Sequence, residues 1–323
     1  MKNTLLLLLV AFFSVDGAWP QSSALPKNGV AYSVGGTLTI RSASGKTIRV
    51  IKTTPPIGTF AISPDTQRVV FAPLGAGPMF NGGPLYLLSV STGKIRRLTH
   101  ASVYNKREVY AYPDFSPDGS QVVVAIHSQL EAVPSDGDDA VTDAGPFAIL
   151  NLRSGAVKKL PSTVNIGGYG PAYGASPRWS PGGQQIFVNL ESDFALTSPS
   201  GEHLQDTSEW TSGDGDTFAV DWLGNGCVVY IGGKDWKAAE EQPAKVLHLS
   251  THQTESLDKL LDVVPAQVTN LIAFSPTIRV RKLGDKLVVE TNSGTWSIAD
   301  AEQHPVVRVF STWTDAQMPT TCR

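Results

Sequence analysis

The chain is short of charge: Asp, Glu, Lys and Arg make up 17% of its 323 residues, and the formal net charge is -3. Its Lys and Arg are scattered, so it has no basic stripe of the kind that duplex nucleic acid or an anionic membrane requires. Long apolar runs are missing beyond residue 13, which excludes a membrane-spanning helix of the usual ~20 residues. Six histidines occur, none in an HExxH arrangement. His248 and His252 lie on a strand and a turn and are expected to point in different directions. No G-x-S-x-G elbow is present, so the sequence holds no α/β-hydrolase nucleophile. Cysteine is nearly absent. Cys227 and Cys322 are either a staple that ties the C-terminal tail to the body or two unrelated thiols, since spacing alone does not fix the distance between them.

The N-terminus carries Lys2, then the nine apolar residues "LLLLLVAFF" from Leu5 to Phe13, then small and polar residues. This layout is that of a secretory signal peptide covering residues 1–24, with cleavage between 17 and 24. Its removal takes away Lys2 and Asp16 and leaves the net charge unchanged. The mature chain, residues 25–323, is expected to be a soluble, exported, periplasmic or secreted monomer.

Gly (30) and Pro (22) are abundant, as many turns between half-buried strands require. They recur in a pattern. "FAISPDTQRVVFA" from Phe60, "DFSPDGSQVVVAI" from Asp114 and "RWSPGGQQIFVNL" from Arg178 share one motif, and "DWLGNGCVVYIGG" from Asp221 and "AFSPTIRVRKLGDKLVVE" from Ala273 are degraded copies. Taking Ser63, Ser116, Ser180, Leu223 and Ser275 as equivalent, the separations are 53, 64, 43 and 52 residues. A period near ~50 residues marks an array of supersecondary units. In "SPDG", Pro117 fixes the second turn position, Asp118 suits the third and Gly119 takes a left-handed conformation, which makes a hairpin. Thr66 and Thr277 replace that Gly and predict looser turns.

A second landmark, such as "LYLLSVSTGKIRRLT" (85–99), supplies another strand pair to each unit. Six units of four antiparallel strands fit the mature length. A single four-stranded sheet cannot bury both of its faces, and radial face-to-face packing solves this, giving an all-β, six-bladed β-propeller. The first unit has only three strands, and "VFSTWTDA" (309–316) is expected to close the ring, with Trp313, Thr314 and Asp315 in the inner-strand register.

"FSPDG", "WSPGG", "LYLLSVSTGKIRRLT" and the prolines two residues before the motif aromatics (Pro113, Pro177) resemble the WD40-like repeats of the TolB-type propellers, periplasmic partners in the Tol–Pal envelope system. The same repeat is found in the propeller domains of prolyl oligopeptidases. The resemblance covers roughly residues 29–316 and implies a propeller; it says little of function, because these repeats encode architecture rather than chemistry. The TolB pattern also has an α/β domain ahead of its propeller; here only ~10 residues separate leader and first blade, so the resemblance is to the propeller part alone.

The connections from second to third strand and from unit to unit share one rim and hold the long insertions, which is where binding is expected. On the loop "GGYGPAYG", Tyr169 and Tyr173 could stack on a sugar or grip a peptide. At the axis, the residues preceding the motif aromatics place Asp114, Arg178 and Asp221 at comparable depth. They form either a polar constriction for a ligand or peptide terminus or a mutually neutralising salt bridge. Asp136, Asp138 and Asp139, and Asp214 and Asp216, are calcium candidates. "DGDDAVTD" lacks the Glu of an EF-hand, and a solvated acidic loop is the simpler reading; no other cofactor is expected. The expectation is a non-catalytic module that binds a protein, peptide or glycan. The alternative is a propeller hydrolase or lyase with a polar site at the channel mouth.

Overall fold

The computed structural model describes residues 25, 28–74, 83–99, 108–128, 144–160, 177–190, 193–202, 204–234, 241–263, 267–298, 306–311 and 318–323. The first blade takes β1 (Asn28–Val34), β2 (Thr37–Ser42) and β3 (Thr47–Lys52). The second is β4 (Ile57–Ile62), β5 (Arg68–Pro73), β6 (Tyr86–Ser89) and β7 (Ile95–Arg97). The third is β8 (Glu108–Phe115), β9 (Gln121–Ser128), β10 (Ala144–Asn151) and β11 (Val157–Lys159). The fourth is β12 (Arg178–Trp179), β13 (Ile186–Asn189), β14 (Phe194–Thr197) and β15 (Leu204–Asp206). The fifth is β16 (Asp216–Trp222), β17 (Cys227–Gly233), β18 (Lys245–His248) and β19 (Gln253–Ser256), followed by the short helix α1 (Leu257–Leu261). The sixth is β20 (Leu271–Ser275), β21 (Ile278–Leu283), β22 (Lys286–Thr291) and β23 (Gly294–Ile298), and β24 (Val306–Ser311) comes last.

Six four-stranded sheets result, and β24 joins the first of them, in the order β24-β1-β2-β3. Residues from one strand serve two seams, because side chains alternate across a strand. Val122, Val124 and Ile126 of β9 pack with the second blade, and Val123 and Ala125 pack with the fourth. The apolar side chains fall into six clusters, each joining residues of two neighbouring blades, so the ring of seams is closed. Burial falls outward: β16 and β17 are almost wholly buried, whereas β19 and β7 are half-buried to exposed.

The hairpin turns follow from the motif. Ser116 accepts from Gly119 N–H through its carbonyl at 2.8 Å, and its Oγ donates to Asp118 Oδ1 at 2.6 Å while accepting from Gln121 N–H at 2.9 Å. Gly119 (φ 67°) and Gly183 (φ 74°) take the left-handed conformation. Two expectations need correcting. Thr66 adopts the same conformation (φ 58°) and its turn closes with the same main-chain bond, Thr66 N–H to Ser63 O at 2.8 Å, so that turn is no looser. The hydroxyl bonds of Ser63 over-determine the backbone and hold a β-branched residue in a region it disfavours. At the Ser275 turn the residue in the place of Gly119 is Ile278 rather than Thr277, and Ser275 pairs with it directly, so that turn is tighter than those at Ser63, Ser116 and Ser180.

The closing strand also differs from expectation. It is Val306–Ser311, antiparallel to β1 with Val309 opposite Val30, and Trp313, Thr314 and Asp315 lie outside the described residues. The reason is the alternation in "VVRVF". Val307 and Val309 fill the seam with the sixth blade, and Val306 and Phe310 fill the seam with the second.

Candidate binding site at the short-turn rim

The inner strands β4, β8, β12 and β20 run from the long-loop rim to the short-turn rim and end at Ser-Pro turns, and β16 ends at the turn Leu223–Gly226 on the same rim. A cavity of about 510 Å³ lies on the axis at that second rim, walled by turn residues Pro64, Pro117, Pro181 and Asn225 and by Met318 of the C-terminal tail. Small Ala61 leaves room on the side of the second blade. Asp114, Arg178, Asp221 and Arg308 also line it.

These four come together from β8, β12, β16 and β24. Arg178 Nη2 donates to both oxygens of Asp221 at 3.1 Å, and its Nε lies 3.6 Å from Asp114 Oδ1. The second oxygen of Asp114 accepts from Trp179 N–H at 2.8 Å, and Asp221 Oδ1 accepts from Trp222 N–H at 2.8 Å. Trp222 Nε1–H in turn donates to Arg178 O at 3.2 Å, tying two blades together. Burial pushes the carboxyls of Asp114 and Asp221 up, and Arg178 opposes that rise. For Arg178, burial disfavours the charge, but Asp221 and Asp114 outweigh it and hold the guanidinium above its ordinary value.

Arg308 is held differently. Its Nε donates to Phe60 O at 3.2 Å and its Nη2 to Pro113 O at 3.3 Å, both main-chain carbonyls. Burial first, and repulsion from Arg178 second, bring its pKa down to about 9. The quartet is formally neutral: Arg178 takes the closest carboxylate contacts, while Arg308 is attracted to the same Asp114 and Asp221 and directs its donors to main-chain carbonyls. Chemically the arrangement can accept an anionic or carbonyl-rich group, while both carboxylates are committed to donors and are poorly placed to act as general bases.

No protein-family model matches the chain. Among curated proteins it is 28% identical over 114 residues to the Tol-Pal system protein TolB of Francisella tularensis, a match covering 35% of this chain and 21% of that protein. Among solved structures, an oligogalacturonate lyase in complex with manganese superposes with a TM-score of 0.53 at 12% identity, over 82% of this chain and 71% of the other. A chain of the nidogen/laminin complex superposes at 0.51 with 8% identity, over 89% and 100%. The chain is a TolB-like β-propeller. The structural matches, at such low identity, speak to the fold alone.

In the TolB-like propeller, the sequence-derived trio Asp114, Arg178 and Asp221 is in mutual contact, so the salt-bridge geometry is present within a lined cavity. The long-loop rim is different: Tyr169, Tyr173, Asp136, Asp138 and Asp139 lie outside the described residues. Asp214 is described, and its carboxylate accepts from Tyr230 OH at 2.7 Å and pairs with Lys245 Nζ; Asp216 opens β16. Burial and Asp214 push the Tyr230 phenol up. Cys227 and Cys322 are joined in a disulfide with Cα atoms 5.1 Å apart. His248 and His252 have separate partners: His252 stacks on Trp210 at 3.8 Å, whereas His248 touches Cys227 and Glu255. No helix among the described residues is long and apolar enough to cross a membrane.

Sequence reasoning missed Arg308. A lone charge within the alternating run "VVRVF" was the available signal, and it becomes informative once that run is recognised as an inner strand.

Proposed function

We propose that the TolB-like propeller is a non-catalytic binding module of the periplasm or cell exterior that takes a segment of a partner protein in its axial cavity. The segment suited to the site carries an acidic side chain or a free carboxylate for Arg308 and apolar groups for the proline and aromatic walls. The observation that carries this reading is the cavity itself, lined by the four charged side chains together with proline, aromatic and polar turn residues. The apolar leader supports export, and the partial likeness to a Tol-Pal component supports a protein partner. Tyr169 and Tyr173 would serve a second, glycan- or peptide-gripping surface at the opposite rim.

Panning a random-peptide display library on the folded chain, followed by calorimetric titration of the enriched peptides, tests the proposal. Peptides rich in acidic or C-terminal carboxylate groups should bind, and Met318→Arg, which crowds the mouth without touching the core, should weaken them at least tenfold. Lys52→Glu, on the exposed face of β3, should leave binding unchanged. Peptides that bind equally to the Met318→Arg variant would remove the cavity from the reading. Manganese-dependent cleavage of oligogalacturonate, lost in Arg178→Ala, would replace it with the lyase alternative.

A further inference from the structure

Away from the axis, Cys227 and His248 are directly opposed across β17 and β18. Cys322 reaches the same place from the 3-10 turn Thr320–Cys322 of the tail. His248 Nδ1 lies 3.2 Å from Cys227 Sγ, and its other nitrogen, Nε2, lies 2.5 Å from Glu255 Oε1 on β19. The two sulfurs and the imidazole nitrogen all lie within 4.8 Å of one another. A histidine with one nitrogen aimed at the ligand position and the other held by a carboxylate has the arrangement that orients metal-binding imidazoles and raises their basicity. Two thiolates and an imidazole form a ligand set suited to zinc.

We propose that the Cys227–Cys322 disulfide is one of two states of this site, and that the reduced chain binds one Zn²⁺ through Cys227 Sγ, Cys322 Sγ and His248 Nδ1, with Glu255 as the orienting carboxylate. A dithiol reductant supplies two electrons and two protons. Its own disulfide forms, the Cys227–Cys322 bond breaks, and each sulfur takes a proton. Zn²⁺ then displaces both protons to solvent and keeps one position for water. With Zn–S near 2.3 Å and Zn–N near 2.0 Å, a tetrahedral site has sulfur–nitrogen edges of about 3.5 Å and a sulfur–sulfur edge of about 3.8 Å. The Cys227–His248 edge is already close to that value, so the adjustment falls on Cys322. Its carrier is the tail, which is held by Gly226 N–H to Cys322 O at 3.1 Å and by packing rather than by a sheet. Either chemistry, disulfide or zinc, fastens the same tail to the fifth blade.

The test uses the full chain, reduced with a phosphine, freed of reductant under anaerobic conditions and titrated with Zn²⁺ against a chromophoric chelator. One ion per reduced chain is expected and none per oxidised chain. Co²⁺ in place of Zn²⁺ should give the intense visible bands of a tetrahedral thiolate site. His248→Gln should weaken binding at least tenfold. Glu255→Gln, a nearly isosteric change at a half-exposed carboxylate, should weaken it by about 10–100-fold. Absence of stoichiometric binding in the reduced chain overturns the proposal. So does equal binding by the oxidised chain, or an affinity that neither variant changes.

Discussion

Breaking the Cys227–Cys322 bond should destabilise the propeller by an amount that the chain length sets. The two residues are 95 apart in sequence. Cross-linking a loop of that size removes about 16 cal/mol/K of entropy from the unfolded chain, or about 4.7 kcal/mol at 25 °C. An unfolding entropy of roughly 2.1 cal/mol/K per residue, over about 300 residues, converts this into a fall in Tm of about 7 °C. Both sulfurs are fully buried, and Cys322 belongs to the apolar cluster between the fifth and sixth blades, so the native contacts persist when the bond opens. The assay is thermal unfolding by circular dichroism with and without a phosphine reductant, in the presence of a chelator. Cys322→Ala is the control, expected to melt near the reduced wild type and to ignore the reductant. A wild-type shift below about 2 °C, or a reductant response in Cys322→Ala, would show that the bond does not constrain the unfolded chain as argued.

Three further outcomes follow from the turns and the channel. Arg178→Ala leaves Asp114 and Asp221 buried without their shared cation and should cost about 3–5 kcal/mol in urea unfolding; a loss below about 1 kcal/mol would mean that water replaces the guanidinium. Thr66→Gly should stabilise by about 1 kcal/mol, because relief of a left-handed β-branched residue exceeds the entropy that glycine adds to the unfolded chain; a destabilised variant would refute the strain. The Ser116 hydroxyl, then Ser120, hold the Asp118 carboxyl down to about 2. The folded value lies below the unfolded one, so this stabilisation is complete above about pH 4 and is lost as pH falls through about 2. Asp118→Asn should therefore be less stable than wild type at pH 7, with the gap narrowing below pH 4; a gap independent of pH would count against those hydrogen bonds.

The repeat was legible because its turn chemistry is local: Ser116, Pro117, Asp118 and Gly119 each have a reason to be there that needs no knowledge of the rest. The channel charges were legible for a related reason, since Asp114, Arg178 and Asp221 hold one column of the repeat alignment. Arg308 was not, because its strand belongs to a blade split between the two ends of the chain and has no Ser-Pro turn beside it. Trp313, Thr314 and Asp315 lie outside the described residues, and the described part of the closing strand has its seam-filling alternation in "VVRVF". Sequence separation gives no distance between Cys227 and Cys322, and nothing in "VLHLSTHQTE" announces that His248 meets a sulfur on one side and a carboxylate on the other. Those contacts come from cross-strand register, which only the folded sheet supplies.

The pairing of β24 with β1 also bears on how the molecule is made. A ribosome delivers residues 28–52 well before residues 306–311. Until β24 is made, therefore, the edge of β1 that faces away from β2 is unpaired and open to any passing strand. Such an edge is a template for wrong partners. A holdase that shields "NGVAYSV" until the final segment arrives would raise the yield of finished rings.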